Sequence, residues 1–585
     1  MSNNTGPSIQ ILPVEIFHYI FDNLDAQTIL LSIRPVCRLF QAMVNSYDRY
    51  ILDFKSTSKL NFHLSCRLIN PQNVISLRLC EDKYNLNQIT LFMSLVCLRQ
   101  FTRLHSITFL GIKEYQLNMI LKRINFNFLT SFSLHIQEYD DRRKKTTLHF
   151  LSSILAQSNL RKVELNIKND RISNILWSVN SKIEYLIIDS EIIFDDMLTI
   201  LSHSPQLQTL ILKQNFSTLI KNMKQTCPFP QLTSLTIEKL NVTIDQLESF
   251  LLLMPSLIYL KLIGQQSVFD GKRYEQFIQL SLPNLNSFEF FIDISKSISQ
   301  TQEDLQSIIE SCRSSFWIEY KKWFVICHFN SNYPFTIQIY SIPICKSILQ
   351  YELNSKYIYL SNSTTLLNND LFTIKNINET FLKLKSFAYG KIKEEVCHDE
   401  LSRINVFFPD VIKLNVDIDS QHSLDSLELL TSVIDVSKLV EVKLESFYFN
   451  KNNQNLLFNI ISILEQAFSL SSLIIHSRYC KQRLYPFLNH ICSIIPRQIK
   501  HLQIPIYELD QIEFILKRCQ NLSVVQFEIL RLKLSQEVIH WFNQHTIDST
   551  IQRHAGCNII WIGKKINPIR DNRKRIKLDE NQFES

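Results

Sequence analysis

Glycine is scarce in this chain, with 7 in 585 residues where about 7% is usual. They are also scattered: Gly6, Gly111, Gly264, Gly271, Gly390, Gly556 and Gly563. Folds that cradle phosphates need clustered glycines, and neither GxGxxG nor GxxxxGK[ST] occurs, so nucleotide-binding classes lose their main support. The 13 cysteines are odd in number and contain no CxxC pair, which speaks against a disulfide framework and a zinc cluster. Buried, reduced thiols are the expectation. There is no secretory leader and no apolar run long enough to span a bilayer, so a soluble intracellular protein is expected. Catalytic signatures are missing as well. GxSxG and HExxH do not occur, and the nearest polar cluster, His398-Asp399-Glu400 after Cys397, reads as a solvated loop. No catalytic, cofactor-binding or metal-ligating residue is therefore expected, and no cofactor.

What is present is apolar and repetitive. The apolar fraction is 45% and the charged fraction 20%, the balance of a folding chain whose length calls for several domains or a repeat array. The net charge of +7 is small for this length, so nucleic acid is not an expected partner. Residues Leu12 to Leu24 read as a helix whose Ile16, Phe17, Ile20, Phe21 and Leu24 share one face. Asp25 is placed to cap a second helix over Thr28 to Ile33. Pro35 suits the first turn of a third, carrying Val36, Leu39, Phe40, Met43 and Val44. Three helices in about forty residues make a small core, and units of that size lean on a partner.

This stretch, LPVEIFHYIFDNLDAQTILLSIRPVCRLFQAMV, resembles an F-box, the motif that docks substrate receptors onto the Skp-type adaptor of cullin–RING ubiquitin ligases. The match is carried by Leu12-Pro13, Glu15-Ile16, Ile20-Phe21, Leu24, Leu30 and Val36-Cys37-Arg38 with Phe40, where many members have tryptophan. The resemblance implies an adaptor contact through Leu12, Pro13, Ile16, Ile20, Phe21, Leu24, Leu30, Val36 and Phe40, some of which also hold the helices together.

Behind it a pattern of apolar-x-x-apolar-x-apolar recurs. It starts at Val74, Leu104, Leu129, Leu160, Ile183, Leu207, Leu232, Leu257 and Leu285, then at Leu384, Val411, Leu439, Leu470, Ile499 and Leu522, at steps of 23 to 31 residues. Helical segments lie between, such as Asp245 to Met254 and Leu456 to Phe468. The units resemble leucine-rich repeats, which implies an α/β solenoid with parallel strands on one face and helices on the other. The x positions turn away from the repeat core, which nominates Ser106, Thr108, Gln208, Ile211, Tyr259, Lys261, Glu441 and Lys443 for substrate binding. The rhythm breaks near 300. There the runs Trp323 to Phe329 and Phe335 to Tyr340 alternate about turn residues and predict an aromatic β-hairpin, its aromatics packing the insertion or recognising a partner.

The expected organisation is an F-box helical domain at 1–55, repeats at 56–300, the hairpin-bearing insertion at 301–380, repeats at 381–563 and a basic flexible tail at 564–585. The tail run Lys564 to Lys577 fits either a nuclear-import signal or a solvated terminus, giving a cytoplasmic or nuclear location. F-box plus repeats resembles a non-catalytic substrate receptor of a ubiquitin ligase, bound to a Skp-type adaptor, through it to a cullin, and to an unidentified protein substrate. The competing readings are a leucine-rich-repeat scaffold without ligase association and an enzyme with a dispersed site.

Overall fold

The computed structural model describes residues 12–342 except 56, 58, 82–86, 180, 218–227, 296–300 and 331–335, together with a series of segments within 345–561. At its start lie helix α1 (Val14–Phe21), a π-helical turn (Thr28–Ile33) and helix α2 (Arg38–Ser46). Asp25 does cap the second element, its carboxylate accepting the backbone N–H of Thr28 at 2.8 Å and the Thr28 hydroxyl at 2.7 Å. Pro35 falls outside the third element. It sits in the preceding turn, and α2 begins only after the extended residue Cys37, so Val36 is a loop residue and not a helical one.

The rest is mixed α/β with a large, mostly parallel sheet. Its strands are β1 (Tyr50–Asp53), β2 (Val74–Cys80), β3 (Ser106–Lys113), β4 (Ser131–Glu138), β5 (Lys162–Asn166), β6 (Tyr185–Ile188), the two-residue β7 (Ile192–Ile193), β8 (Thr209–Leu212), the two-residue β9 (Phe216–Ser217), β10 (Ser234–Asn241), β11 (Tyr259–Gln266) and β12 (Ser287–Ser295). The long strands pair in chain order, β1 through β12, each next to its predecessor. Strand alternation explains the layering: Leu77, Ile107, Phe132, Val163, Leu186, Leu210, Leu235, Leu260 and Phe288 are register partners in one continuous row. All of them are buried against helices such as Ile244–Leu251, which starts at a Thr243 capping box.

A second regularity lies in the main chain at each strand entrance. One carbonyl accepts two successive N–H groups of the following unit. The His105 carbonyl accepts from Thr130 and Ser131, that of Arg161 from Glu184 and Tyr185, that of Gln208 from Thr233 and Ser234, and that of Ile258 from Asn286 and Ser287, all at 2.8 to 3.1 Å. Backbone groups are thereby paired across these unit boundaries. In the later part the Val440 carbonyl does the same for Ser471 and Ser472.

The predicted hairpin forms, as β13 (Val325–Asn330) and β14 (Thr336–Ser341), and it is added to the end of the first sheet, after which the parallel series resumes in a second sheet. β14 pairs antiparallel with β12. The chain then forms β15 (Ile348–Glu352) at one end of a second sheet and returns to lay β16 (Tyr357–Ser361) antiparallel on β13. Phe316, Trp317 and Trp323 are buried behind the hairpin, with Trp317 and Trp323 edge-to-face at 5.9 Å, so these aromatics pack the scaffold. The short β17 (Phe372–Thr373) and β19 (Val406–Phe407) pair with each other. The second sheet continues through β18 (Thr380–Lys385), β20 (Val411–Asp417), β21 (Glu441–Glu445), β22 (Ser472–Ile475), β23 (His501–Ile506) and β24 (Val524–Ile529), all parallel, and ends with β26 (Cys557–Trp561) and β25 (Thr550–His554). Neither sheet's strand order closes on itself.

Gly111 answers for part of the glycine scarcity. At φ +73° it lies in a register shift of β3, where a Cβ would stand 2.0 Å from the Glu81 carbonyl oxygen. Gly264 of β11 is a second position closed to a Cβ, facing the Leu240 backbone. Six of the described cysteines are buried, and burial pushes the Cys66 and Cys312 thiols up to about 12.

The charged stretch Arg142 to Lys145 runs from a 3-10 turn (Asp141–Arg143) into an α-helix. Asp140 accepts the Arg142 N–H at 3.1 Å, and Lys144 opens the helix Lys144–Leu155. Its neighbour Asp141 reaches a buried cation that the sequence pattern did not flag. Arg171, 1% exposed, lies 3.3 Å from Glu114, 3.0 Å from Asp141 and 2.7 Å from Asp170. Glu114 also accepts the Asp140 N–H at 2.6 Å, tying three consecutive strand-to-helix connections together. Removing one side of a buried pair leaves an uncompensated charge. Glu114→Ala should therefore cost about 3–5 kcal/mol in urea unfolding, whereas the double change Glu114→Leu/Arg171→Met should cost clearly less than that single change.

Candidate adaptor-docking site

The five large side chains of the α1 stripe divide between two directions. Phe17 and Phe21 are each 1% exposed, while Ile16, Ile20 and Leu24 are 44%, 38% and 36% exposed. Positions i and i+4 along a helix share a face, so the inner pair and the outer set each form a row. The inner row is an aromatic chain. Phe17 meets Phe40 edge-to-face at 5.6 Å, Phe21 meets Tyr47 at 5.5 Å, and Tyr47 meets Tyr50 at 4.9 Å. The Tyr50 hydroxyl donates to the Val44 carbonyl at 2.7 Å. Since Tyr50 opens β1, the helical unit and the sheet share one continuous core.

Pro13 starts α1, its carbonyl accepting the Ile16 N–H at 3.1 Å, and it is exposed beside Leu12. Of the nine residues nominated for the adaptor contact, Leu12, Pro13, Ile16, Ile20, Leu24 and Val36 are exposed, and Phe40 is half-buried against Phe17. Phe21 and Leu30 lie inside the chain's own core, where their part is to hold the helices. Tyr19, 70% exposed one turn from Ile16, joins the outer face. Sequence reading passed over it because its ring was not counted in the stripe, although i+3 spacing from Ile16 signals it. An exposed apolar row is the kind of surface that a protein partner covers.

At the end of α1, Asp22 accepts two bonds from the Arg49 guanidinium, at 3.1 and 2.9 Å, and one from the Tyr47 hydroxyl at 2.8 Å. Desolvation pushes the Asp22 carboxyl up, but the bonds from Arg49 and Tyr47 outweigh it and hold the group below the ordinary carboxylate range. Arg103 binds Asp48 at 2.6 Å, and the Asn73 amide donates to the Tyr47 carbonyl at 3.0 Å. These bonds clamp the segment between α2 and β1 from both sides.

The nominated substrate residues fall on the outward face of the two sheets, with one exception. Ser106 and Thr108 of β3, Ile211 of β8, Tyr259 and Lys261 of β11, and Glu441 and Lys443 of β21 are half-buried at alternating positions. Gln208 precedes β8, and its carbonyl is one of the double acceptors at the strand entrances. The outward register position belongs to Thr209, the partner of Tyr185 and Ser234. Tyr259 donates its hydroxyl to Glu289 at 2.9 Å, and burial followed by that carboxylate pushes its ionisation far above the usual phenol range. The two outward faces differ. On the first sheet Lys213 reaches Glu164 at 3.0 Å across the intervening strand β6, and the hydroxyl-bearing positions from β2 to β4 remain partly exposed. The outward row through Ile211 and Lys261 also includes the buried Ile187 and Thr236, and on the second sheet the corresponding row is closed at Asn415, Ile474, Gln503 and Gln526. His398, Asp399, Glu400 and the basic run 564–577 lie outside the described residues.

A family model of the F-box domain matches residues 9–52, which spans α1, the π turn, α2 and the first residues of β1. No curated protein matches the chain. The match supports an F-box protein. F-box domains in general bind Skp-type adaptors, and F-box proteins are typically non-catalytic adaptors of ubiquitin ligases. Among the described residues, no helix is long and apolar enough to cross a membrane.

The Asp22 tie sets a pH window. A carboxyl lowered in the folded state contributes stability that is full above its unfolded value, about 4, and is lost as pH falls through the lower folded value. The melting temperature of the wild type should therefore exceed that of Arg49→Ala at neutral pH, by the modest amount expected of a part-exposed pair. The gap should close as the pH is taken below about 4, as followed by thermal circular dichroism.

Proposed function

We propose that this protein is the substrate-receptor subunit of a Skp–cullin–F-box ubiquitin ligase, built as an F-box followed by a leucine-rich-repeat solenoid. The observation that carries the reading is the outer row Leu12, Ile16, Ile20 and Leu24, with Val36, left exposed on a helical unit whose inner row is already satisfied. It coincides with the F-box match. An apolar groove on the Skp-type adaptor is the complement such a row needs, and the cullin is reached through that adaptor.

The repeat reading rests on the 23 to 31 residue spacing, the unbroken inward rows and the carbonyl that accepts twice at each strand entrance. A protein target would lie on the outward face of the first sheet, at Ser106, Thr108, Thr209, Ile211, Tyr259 and Lys261. On the second sheet more of the neighbouring outward positions are closed, which leaves Glu441 and Lys443 a smaller share. The mechanism is proximity. The receptor holds the target near a conjugating enzyme carried elsewhere in the assembly, raising effective concentration without supplying acid–base groups. Because one core joins α1 to β1, the target surface and the adaptor contact keep a set orientation. A repeat scaffold without ligase association leaves the exposed outer row without a purpose.

The test is direct binding of the purified full chain to the Skp-type adaptor by calorimetry. Ile16→Ala and Ile20→Ala should each weaken binding roughly tenfold with unchanged melting temperature. Phe21→Ala should lose binding together with the helical fold, because its ring is internal. A chain that fails to retain the adaptor, or an Ile16→Ala/Ile20→Ala variant that retains it fully, overturns the reading.

A further inference from the structure

The two sheets finish in the same way. In the first, the last parallel strand β12 is followed by the helix Gln302–Glu310 and then by the hairpin β13–β14, whose second strand returns to pair antiparallel with β12. In the second, β24 is followed by the helix Leu532–His545 and then by the hairpin β25–β26, whose second strand pairs antiparallel with β24. Each half thus ends in a parallel-strand, helix, hairpin cap of identical topology. Among the described strands, the two caps differ at the outer edge of the hairpin. The far edge of β13 carries β16 in antiparallel register, Phe329 opposite Ile358 and Cys327 opposite Leu360. Among the described strands, none pairs with the far edge of β25.

The hydrogen-bonding phase of β25 follows from its hairpin. His554 is the register partner of Cys557 and Gln552 that of Ile559, closing a hairpin of two connecting residues. The closing pair of such a hairpin exchanges both hydrogen bonds, and bonding alternates from there. His554, Gln552 and Thr550 therefore bond inward to β26, and Ile551 and Arg553 present N–H and C=O to the far edge. The segment Thr550-Ile-Gln-Arg-His554 has no proline, the residue that commonly blunts an edge. The outer edge of the first sheet differs, since β1 has only four residues and a register shift between Tyr50 and Ile51.

From this duplication we infer that β25 pairs with β25 of a second copy of this chain, so that the two second sheets join edge to edge about a two-fold axis. Antiparallel pairing is self-complementary under such an axis. Centred on Gln552, it sets Ile551 opposite the Arg553 of the other copy, Thr550 opposite its His554, and Gln552 opposite Gln552. The two free residues of each edge then exchange bonds, as in any narrow antiparallel pair. No like charges meet, because each Arg553 faces an isoleucine. The joined edge does for the second half what β16 does for the first. It does not depend on the adaptor reading, since β25 and the α1 row lie at opposite ends of the chain's strand order.

Sedimentation velocity of the full chain over a concentration series tests the inference. The wild type should form a two-chain species. Gln552→Lys and Gln552→Glu, which set like charges opposite each other at the axis, should each raise its dissociation constant roughly fivefold. An equimolar mixture of the two variants should restore pairing, which also shows that both are folded. A wild type that stays a single chain at every concentration overturns the inference. In that case, protection of the Ile551 and Arg553 amides from hydrogen exchange identifies a strand from elsewhere as the occupant. A two-chain species unaffected by either substitution also overturns it and places the contact on another surface.

Discussion

The joint between α1 and β1 is the constraint on which the rest of the molecule depends. Phe17 and Phe21 on one side and Tyr50 on the other meet through Tyr47, whose ring lies within 5.5 Å of Phe21 and 4.9 Å of Tyr50. Tyr47 is satisfied at both ends, its hydroxyl by Asp22 and its carbonyl by Asn73. A helical unit of this size would be marginal alone. Here it borrows the first strand of the sheet as a wall, so the inner row of α1 is spent on the chain itself. The outer row is then the only apolar face α1 has left to offer a partner.

From β1 onward the same solution is used repeatedly. Inward side chains stack in register against helices, and the backbone turns each corner with a carbonyl that accepts from two consecutive N–H groups. That bond pattern removes the need for a glycine at every turn. Glycine is kept where neighbouring backbones approach within the reach of a Cβ, as at Gly111 and at Gly264, where a Cβ would stand 2.1 Å from the Leu240 carbonyl oxygen. Scarcity of glycine and regularity of the main chain are two aspects of one arrangement.

The outward faces show why a repeating pattern does not imply a repeating surface. On the first sheet polar side chains bond to one another, as Asp189 does with Asn166 and Gln214 at 2.9 and 2.7 Å. At the hairpin end Phe291 and Tyr340 stack at 5.4 Å, and both are buried in the second core cluster together with residues of the second sheet. The row through Thr108 has no buried member from β2 to β5, the strands nearest the F-box in sheet order.

Sequence by itself determined the elements that follow from period and local chemistry. These are the three N-terminal helical segments with the Asp25 cap, the apolar rows of the strands, the aromatic hairpin, and the apolar stripe that became the candidate site. All rest on spacing along the chain, which survives without knowledge of the fold. Tertiary structure decided what depends on neighbours distant in sequence. It divided the α1 stripe into Phe17 and Phe21 within and Ile16, Ile20 and Leu24 without, because only the position of Tyr47 and Phe40 distinguishes one side from the other. It moved Gln208 from the outward face to a backbone acceptor, since strand entry is set by the adjoining unit. It attached the hairpin to β12, and it gathered Arg171, Glu114, Asp141 and Asp170 into one buried cluster from residues up to 57 positions apart. Periodicity reports which side chains share a face, and only packing reports what that face meets.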